Sequence, residues 1–122
     1  MDEMKMDFTA EQGRIKTEAH LTEAGNDLLV FLSGGDTPHI GAAVCCDAGG
    51  NVREAALPEH KDQVVMKIMA ERLSRAVGCN VCVAGGIHID GITKEQIHTV
   101  MELCERLTSE IIGSIKETGV QP

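Results

Sequence analysis

"DLLVFLSGGDTPHIGAAVCCD", residues 27–47, holds the choice of fold. Asp27 to Ser33 is apolar enough for a strand buried on much of both faces, and Ile40 to Asp47 reads the same way. Between them stand two glycines, an acid, a hydroxyl, a proline and a histidine. A hairpin needs roughly two to five turn residues, and Asn-Gly alone suffices. The connection carries more chemistry than a turn requires.

Working outward, "GRIKTEAHLTEAG" alternates, with Ile15, Thr17, Ala19 and Leu21 facing one way and Arg14, Lys16, Glu18 and His20 the other. That is a half-buried strand, turned into the next by Gly25 to Asp27. Downstream, "AGGN" is a hairpin turn and "VREAAL" a further strand. Pro58 stops the sheet. His60 to Val77 then has helical spacing at Val64, Val65, Ile68, Met69, Leu73 and Ala76, with Gly78 where a C′ glycine belongs. "CNVCVAG" is a short strand. Thr93 and Gln96 form a capping box that opens a second helix, whose stripe is Ile97, Val100, Met101, Cys104, Leu107, Ile111 and Ile115, closed by Gly119. The order ββββαβα predicts one α+β domain over residues 1–122: a two-layer sandwich, mainly antiparallel, with both helices on one face of the sheet. The opposite face looks too apolar for solvent and predicts a homodimer or higher homo-oligomer.

Bulk composition narrows the function classes. A net charge of −8 with no basic stripe argues against nucleic-acid binding. Phe8 and Phe31 are the only aromatic rings among Phe, Tyr and Trp, so base-stacking platforms are nearly absent. The acidic N-terminus lacks a signal-peptide apolar region, no run approaches a membrane span, and five cysteines suit a reducing compartment. The expected location is the cytoplasm.

Three polar clusters sit at element ends: Gly34-Gly35-Asp36-Thr37-Pro38-His39, Glu59-His60-Lys61-Asp62, and "GGIHIDGIT" with His88 and Asp90. Two abut helix N-termini, where unpaired N–H groups and the helix dipole favour a phosphate or carboxylate. Glycine pairs let backbone amides approach an oxyanion, and Lys61 adds positive charge. The pattern suggests an anion pocket, with His39, His60 or His88 as donors or metal ligands. Each piece also has a plainer reading: turn glycines, Asx-turn aspartates at positions 36 and 90, and a solvated helix-start histidine at 60. Cys79 and Cys82 resemble a zinc or redox pair, but i and i+3 on a strand point to opposite faces, as do Cys45 and Cys46. They read as small hydrophobes of a reduced core. Neither glycine pair makes a Rossmann or Walker fingerprint.

"SGGDTPHIGA", "HKDQVV" and "GGIHIDGITKEQI" together resemble the LpdD-like family, small companion subunits of UbiD-type (de)carboxylases that act with prenylated flavin mononucleotide (FMN). The resemblance implies a chaperone or accessory subunit with no turnover of its own. Its role would be to bind prenylated FMN, or FMN itself, and help deliver it to, or mature, the decarboxylase, with a flavin prenyltransferase as a further partner. Gly34, Gly35, Asp36, Pro38, His39 and Gly41 match the first motif, with Thr37 inside it. His60 and Lys61 match the second; His88, Asp90 and Ile92 match the third. The expected site is a phosphate held by backbone amides, histidine and Lys61, with a divalent or monovalent cation left open. Only Phe8 or Phe31 could stack on the flavin ring, which would need aliphatic and sulfur contacts, such as Met66 or Met69, or a site shared between protomers. Two other classes stay open: a small metal-dependent enzyme using His39, His60 and His88 with Asp36 or Asp90 as base, and a purely structural decarboxylase subunit.

Overall fold

The computed structural model describes residues 5–58 and 62–118. Its elements are β1 (Asp7–Gln12), β2 (Ile15–Ala24), β3 (Asp27–Gly35), β4 (Ala42–Cys46), β5 (Val52–Ala56), α1 (Gln63–Val77), β6 (Val81–His88) and α2 (Lys94–Thr118). The strands form one six-stranded sheet in the order β1-β2-β3-β6-β4-β5. Every neighbouring pair is antiparallel except the central β3–β6 pair. Helix α1 packs on the β6-β4-β5 half and α2 on β1 and β2, and the helices touch each other. The α+β two-layer sandwich with both helices on one face is borne out.

One strand corrects the expected order. β1 precedes the four strands read from the sequence, and it pairs with β2 from Asp7↔His20 to Gln12↔Ile15. It buries only Phe8 and Ala10, so its apolar signal is two residues long within an acidic stretch. Thr17, fully buried beneath it, donates its hydroxyl to the Ala10 carbonyl at 3.0 Å, which satisfies the one polar group that this pairing takes from water.

The core lies between the layers. Ala19, Leu21, Val30, Leu32, Val44, Val81 and Val83 point inward from alternate strand positions to meet both helices. On α1 the buried face is Met66, Met69, Ala70, Leu73, Ser74 and Val77, while Val64 and Ile68 are exposed. The buried face is thus rotated from the Val64, Val65 and Ile68 stripe that the apolar spacing predicts. Ala70 and Ser74 are too small to mark an apolar stripe in the sequence, yet both are buried against the sheet; Ser74 Oγ sits 2.9 Å from the Asp47 carbonyl and 2.8 Å from that of Cys79. On α2, Leu103 joins the expected core residues, while Ile97 and Met101 stay exposed. Both expected helix-end devices are present. Gly78 is left-handed (φ 75°) and donates to the Ser74 carbonyl, and Thr93 and Gln96 exchange backbone-to-side-chain hydrogen bonds of 2.9 and 3.1 Å. Gly119 and the start of the first helix at His60 lie outside the described residues.

Candidate functional site

Because β3 and β6 run parallel, with Gly35 opposite His88, their C-terminal ends emerge side by side. In open sheets with parallel strands this is where ligands are held. The start of α1 and the start of α2 lie at the same end, since each helix begins where its neighbouring strand finishes. Residues of all three polar clusters therefore meet in space, the second through Asp62.

The connection from Asp36 to Gly41 is fastened to β6 at both ends. The Asp36 N–H donates to the His88 carbonyl at 2.7 Å, and the Gly41 N–H to the Gly85 carbonyl at 2.7 Å. Gly34 and Gly35 are the last residues of β3, not loop residues. A Cβ on Gly34 would stand 2.4 Å from the Lys16 carbonyl oxygen, and one on Gly35 (φ 78°) would stand 2.2 Å from that of His88. Their glycine identity is thus required by the closeness of the neighbouring strands. The Asp36 and Gly41 amides that flank the connection are taken by strand carbonyls.

His39 folds back over Gly86, where an added Cβ would collide with the imidazole at 2.2 Å. Its Nε2 lies 3.1 Å from Asp62 Oδ2, and Asp62 Oδ1 accepts from the Ile87 N–H at 3.2 Å. Asp62 occupies the N-cap position of α1 but makes no side-chain cap hydrogen bond; its carboxylate instead ties helix start, loop and β6 together. In the sequence Asp62 stands only as one member of the Glu59–Asp62 polar cluster. The available signal was its position, an acid just ahead of a helical apolar run.

His88 is held by Asp90, Nε2 to Oδ1 at 2.8 Å, and its ring centroid lies 5.6 Å from that of His39. Asp36 Oδ2 accepts from the Asp90 N–H at 3.0 Å. The two histidines and the three aspartates form one connected group in which each imidazole is oriented by a carboxylate. Beside it, Arg14, Ile15, Gly35, Asp36, Ile89, Asp90, Thr93 and Gln96 border a cleft of about 170 Å³ that brings a guanidinium to the strand exits. Arg14 was read only as an outward strand residue. Thr37 and Pro38 are exposed on the loop, and Ile92 is exposed between β6 and α2. His60 and Lys61 lie outside the described residues. Among the described residues, no group of three or more His, Cys, Asp or Glu side chains converges as a metal site would need.

The other flavin-contact expectations divide. Met66 and Met69 are fully buried in the core, so they are corrected from ligand contacts to packing residues. Phe8 is buried too, whereas Phe31 is exposed on the sheet face away from the helices.

A family model described as prenylated flavin chaperone LpdD-like domain matches residues 11–116. The chain belongs to that family. Protein LpdD of Lactiplantibacillus plantarum is 32% identical over 119 residues, which cover 93% of this chain and 88% of that protein. Among solved structures, a chain from a crystal structure of a chaperone complex for yeast 20S proteasome assembly matches with a TM-score of 0.53. That match spans 84% of this chain and 97% of the other at 8% identity, and so shares the fold alone.

Proposed function

We propose that the protein is a chaperone that binds prenylated FMN and delivers it to, or assists its maturation in, a UbiD-type (de)carboxylase. The observation that carries this reading is the family match over residues 11–116, which includes the whole strand-exit group. In this reading the phosphate lies at the strand exits, with His39 and His88 as donors oriented by Asp62 and Asp90, and with Arg14 in the adjoining cleft. The protein would act by binding and release, with no turnover of its own; a flavin prenyltransferase is the natural donor and the decarboxylase the acceptor.

The cleft of about 170 Å³ is smaller than the roughly 300–1,000 Å³ of pockets that enclose small-molecule ligands. That supports a site completed by a second protein surface. The outer sheet face supplies a surface of suitable character on its β2–β3 side: Leu29 and Phe31 are 43% and 39% exposed there. A homodimer through the Leu29 and Phe31 side of this face, leaving the β4 side with Cys45 open, is the assembly we propose. Co-expression with a flavin prenyltransferase, followed by purification, absorption spectroscopy and mass analysis of what co-purifies, tests the reading. Stoichiometric prenylated FMN supports it, while a flavin-free protein that also fails to bind added prenylated FMN by titration overturns it. Light scattering that gives a monomer at micromolar concentration would remove the dimer and leave the flavin reading standing.

A further inference from the structure

The outer sheet face also carries a pair of thiols that the flavin site does not use. Cys45 on β4 and Cys82 on β6 are direct register partners. Cys45 is exposed between buried Val44 and Cys46, and Cys82 is half-buried between buried Val81 and Val83. Both side chains therefore leave the sheet on the side away from the helices.

The hydrogen-bond ladder fixes which kind of pair they form. The Leu57 N–H donates to the Gly41 carbonyl at 2.8 Å, continuing the β4–β5 register of Ala42↔Ala56. At the other end of β4 the Asp47 N–H donates to the Asn51 carbonyl at 2.9 Å, so residues 43 and 45 aim their backbone groups at β5, and residues 42, 44 and 46 aim theirs at β6. Facing β6, Cys45 and Cys82 are a non-hydrogen-bonded antiparallel pair, whose Cα atoms lie about 4.5 Å apart with side chains turned toward each other. That spacing falls inside the roughly 4.4–6.8 Å range a disulfide can bridge without moving the backbone. The remaining cysteines, Cys46, Cys79 and Cys104, are buried in the core.

We infer that Cys45 and Cys82 form a reversible dithiol–disulfide site, oxidised by exchange with a low-molecular-weight disulfide such as glutathione disulfide. The exposed Cys45 attacks first: its thiolate sulfur bonds to one glutathione sulfur, and the S–S bond breaks to release one glutathione thiolate. The Cys82 thiol then gives up its proton to solvent and attacks Cys45 Sγ, forming the Cys45–Cys82 bond and expelling the second glutathione. Two protein thiols are oxidised and one glutathione disulfide is reduced to two glutathiones. Burial, with the neighbouring Cys45 thiol next, pushes the Cys82 thiol up to about 11, which suits a resolving rather than an attacking role. The second step is intramolecular between adjacent side chains, which offsets its small thiolate fraction.

The test uses the full chain, reduced and then exposed to glutathione disulfide, with free thiols trapped by N-ethylmaleimide before intact-mass and peptide mapping. The expected product has lost two hydrogens, carries a Cys45–Cys82 crosslink and returns to the dithiol with dithiothreitol. Cys82→Ser should accumulate glutathione on Cys45 instead, and Cys45→Ser should carry neither modification. The inference is overturned if wild-type Cys45 and Cys82 both remain alkylated, or if the crosslink joins other cysteines or two chains. It is overturned equally if a folded Cys82→Ser protein holds no more glutathione than wild type. The wild-type map decides the matter by itself should a variant fail to fold.

Discussion

Two stretches of this chain look alike in sequence and behave differently in the fold. "DAGGN", residues 47–51, and "GGDTPH", residues 34–39, each combine an aspartate with a glycine pair beside an apolar strand. In the first, Asp47 serves its own turn. Its Oδ1 accepts from the Gly49 and Asn51 N–H groups at 2.9 Å each, and the Asn51 side chain adds a further contact. These hydrogen bonds hold the Asp47 carboxyl below the usual carboxylate range. In the second, Asp36 reaches the backbone of Asp90, and its own N–H reaches the His88 carbonyl. The first acid closes a local turn, and the second joins segments far apart in the chain. Partners, not composition, separate a structural turn from a candidate site.

The glycines offer the strongest way to break that comparison. Gly35→Ala would place a Cβ against a backbone carbonyl in a left-handed residue, so about 3 kcal/mol or more of stability should be lost. Gly50 is also left-handed (φ 90°) but has nothing within 4 Å, so Gly50→Ala should cost only about 1–2 kcal/mol. Urea unfolding midpoints compare the two. Equal losses would mean that both stretches are merely turns.

Ligand binding comes next in size. A charge-assisted hydrogen bond contributes roughly 1.5–3 kcal/mol, so His39→Ala should weaken prenylated FMN about ten- to a hundred-fold by titration. Gly86→Ala should do the same from beneath, because its methyl would displace the His39 ring, a side chain that can move aside, while the fold is retained. The exposed His98→Ala on α2 is the matched control and should bind as wild type. Unchanged binding in the first two variants would reduce "GGDTPH" to a connection.

Asp62→Ala should destabilise by about 1–3 kcal/mol, because the part-buried Ile87 N–H loses its acceptor. An Asp47→Ala change at the solvent-exposed hairpin should lower the unfolding midpoint by less; thermal melts of the two rank them.

Smallest in scope is a pH effect set in the core, away from both stretches. Burial pushes the Cys104 thiol up to about 12. A folded-state pKa above the unfolded value means that stability is fully present below about pH 9 and falls as pH rises toward 12. Cys104→Ala should flatten that alkaline decline in melting temperature, and an unchanged slope would assign it to other groups.

What the sequence showed tracks how local the physics is. Strands β2 to β5, the Thr93–Gln96 capping box and the Gly78 cap rest on near neighbours, and all were readable. β1 was not, since Phe8 and Ala10 give too short an alternation until β2 is there to receive it. Gly34 and Gly35 could not be recognised as strand residues, because what demands glycine is the Lys16 and His88 carbonyls on other strands. Asp62 was visible as an acid at a helix start, but its partners His39 and Ile87 come from the loop after β3 and from β6. His39 and His88 were named from their motifs, and only the parallel strand pair explains why they stand together.

The place of β6 in the sheet has a consequence for how the molecule assembles. It is the last strand in the chain, yet it lies between β3 and β4, pairing residues 28–35 with residues 81–88 on one side. That pairing brings together residues separated by the intervening hairpin and helix, a loop-closure cost that slows folding. His88, Asp90 and the carbonyls that fasten the Asp36–Gly41 connection all arrive with this insertion. A ligand bound at the strand exits would therefore recognise only the completed sheet, and its binding energy would fall wholly on the folded side of the equilibrium. Loaded protein would resist unfolding in proportion to how tightly it holds its cargo, and would lose that resistance on handing the cargo over.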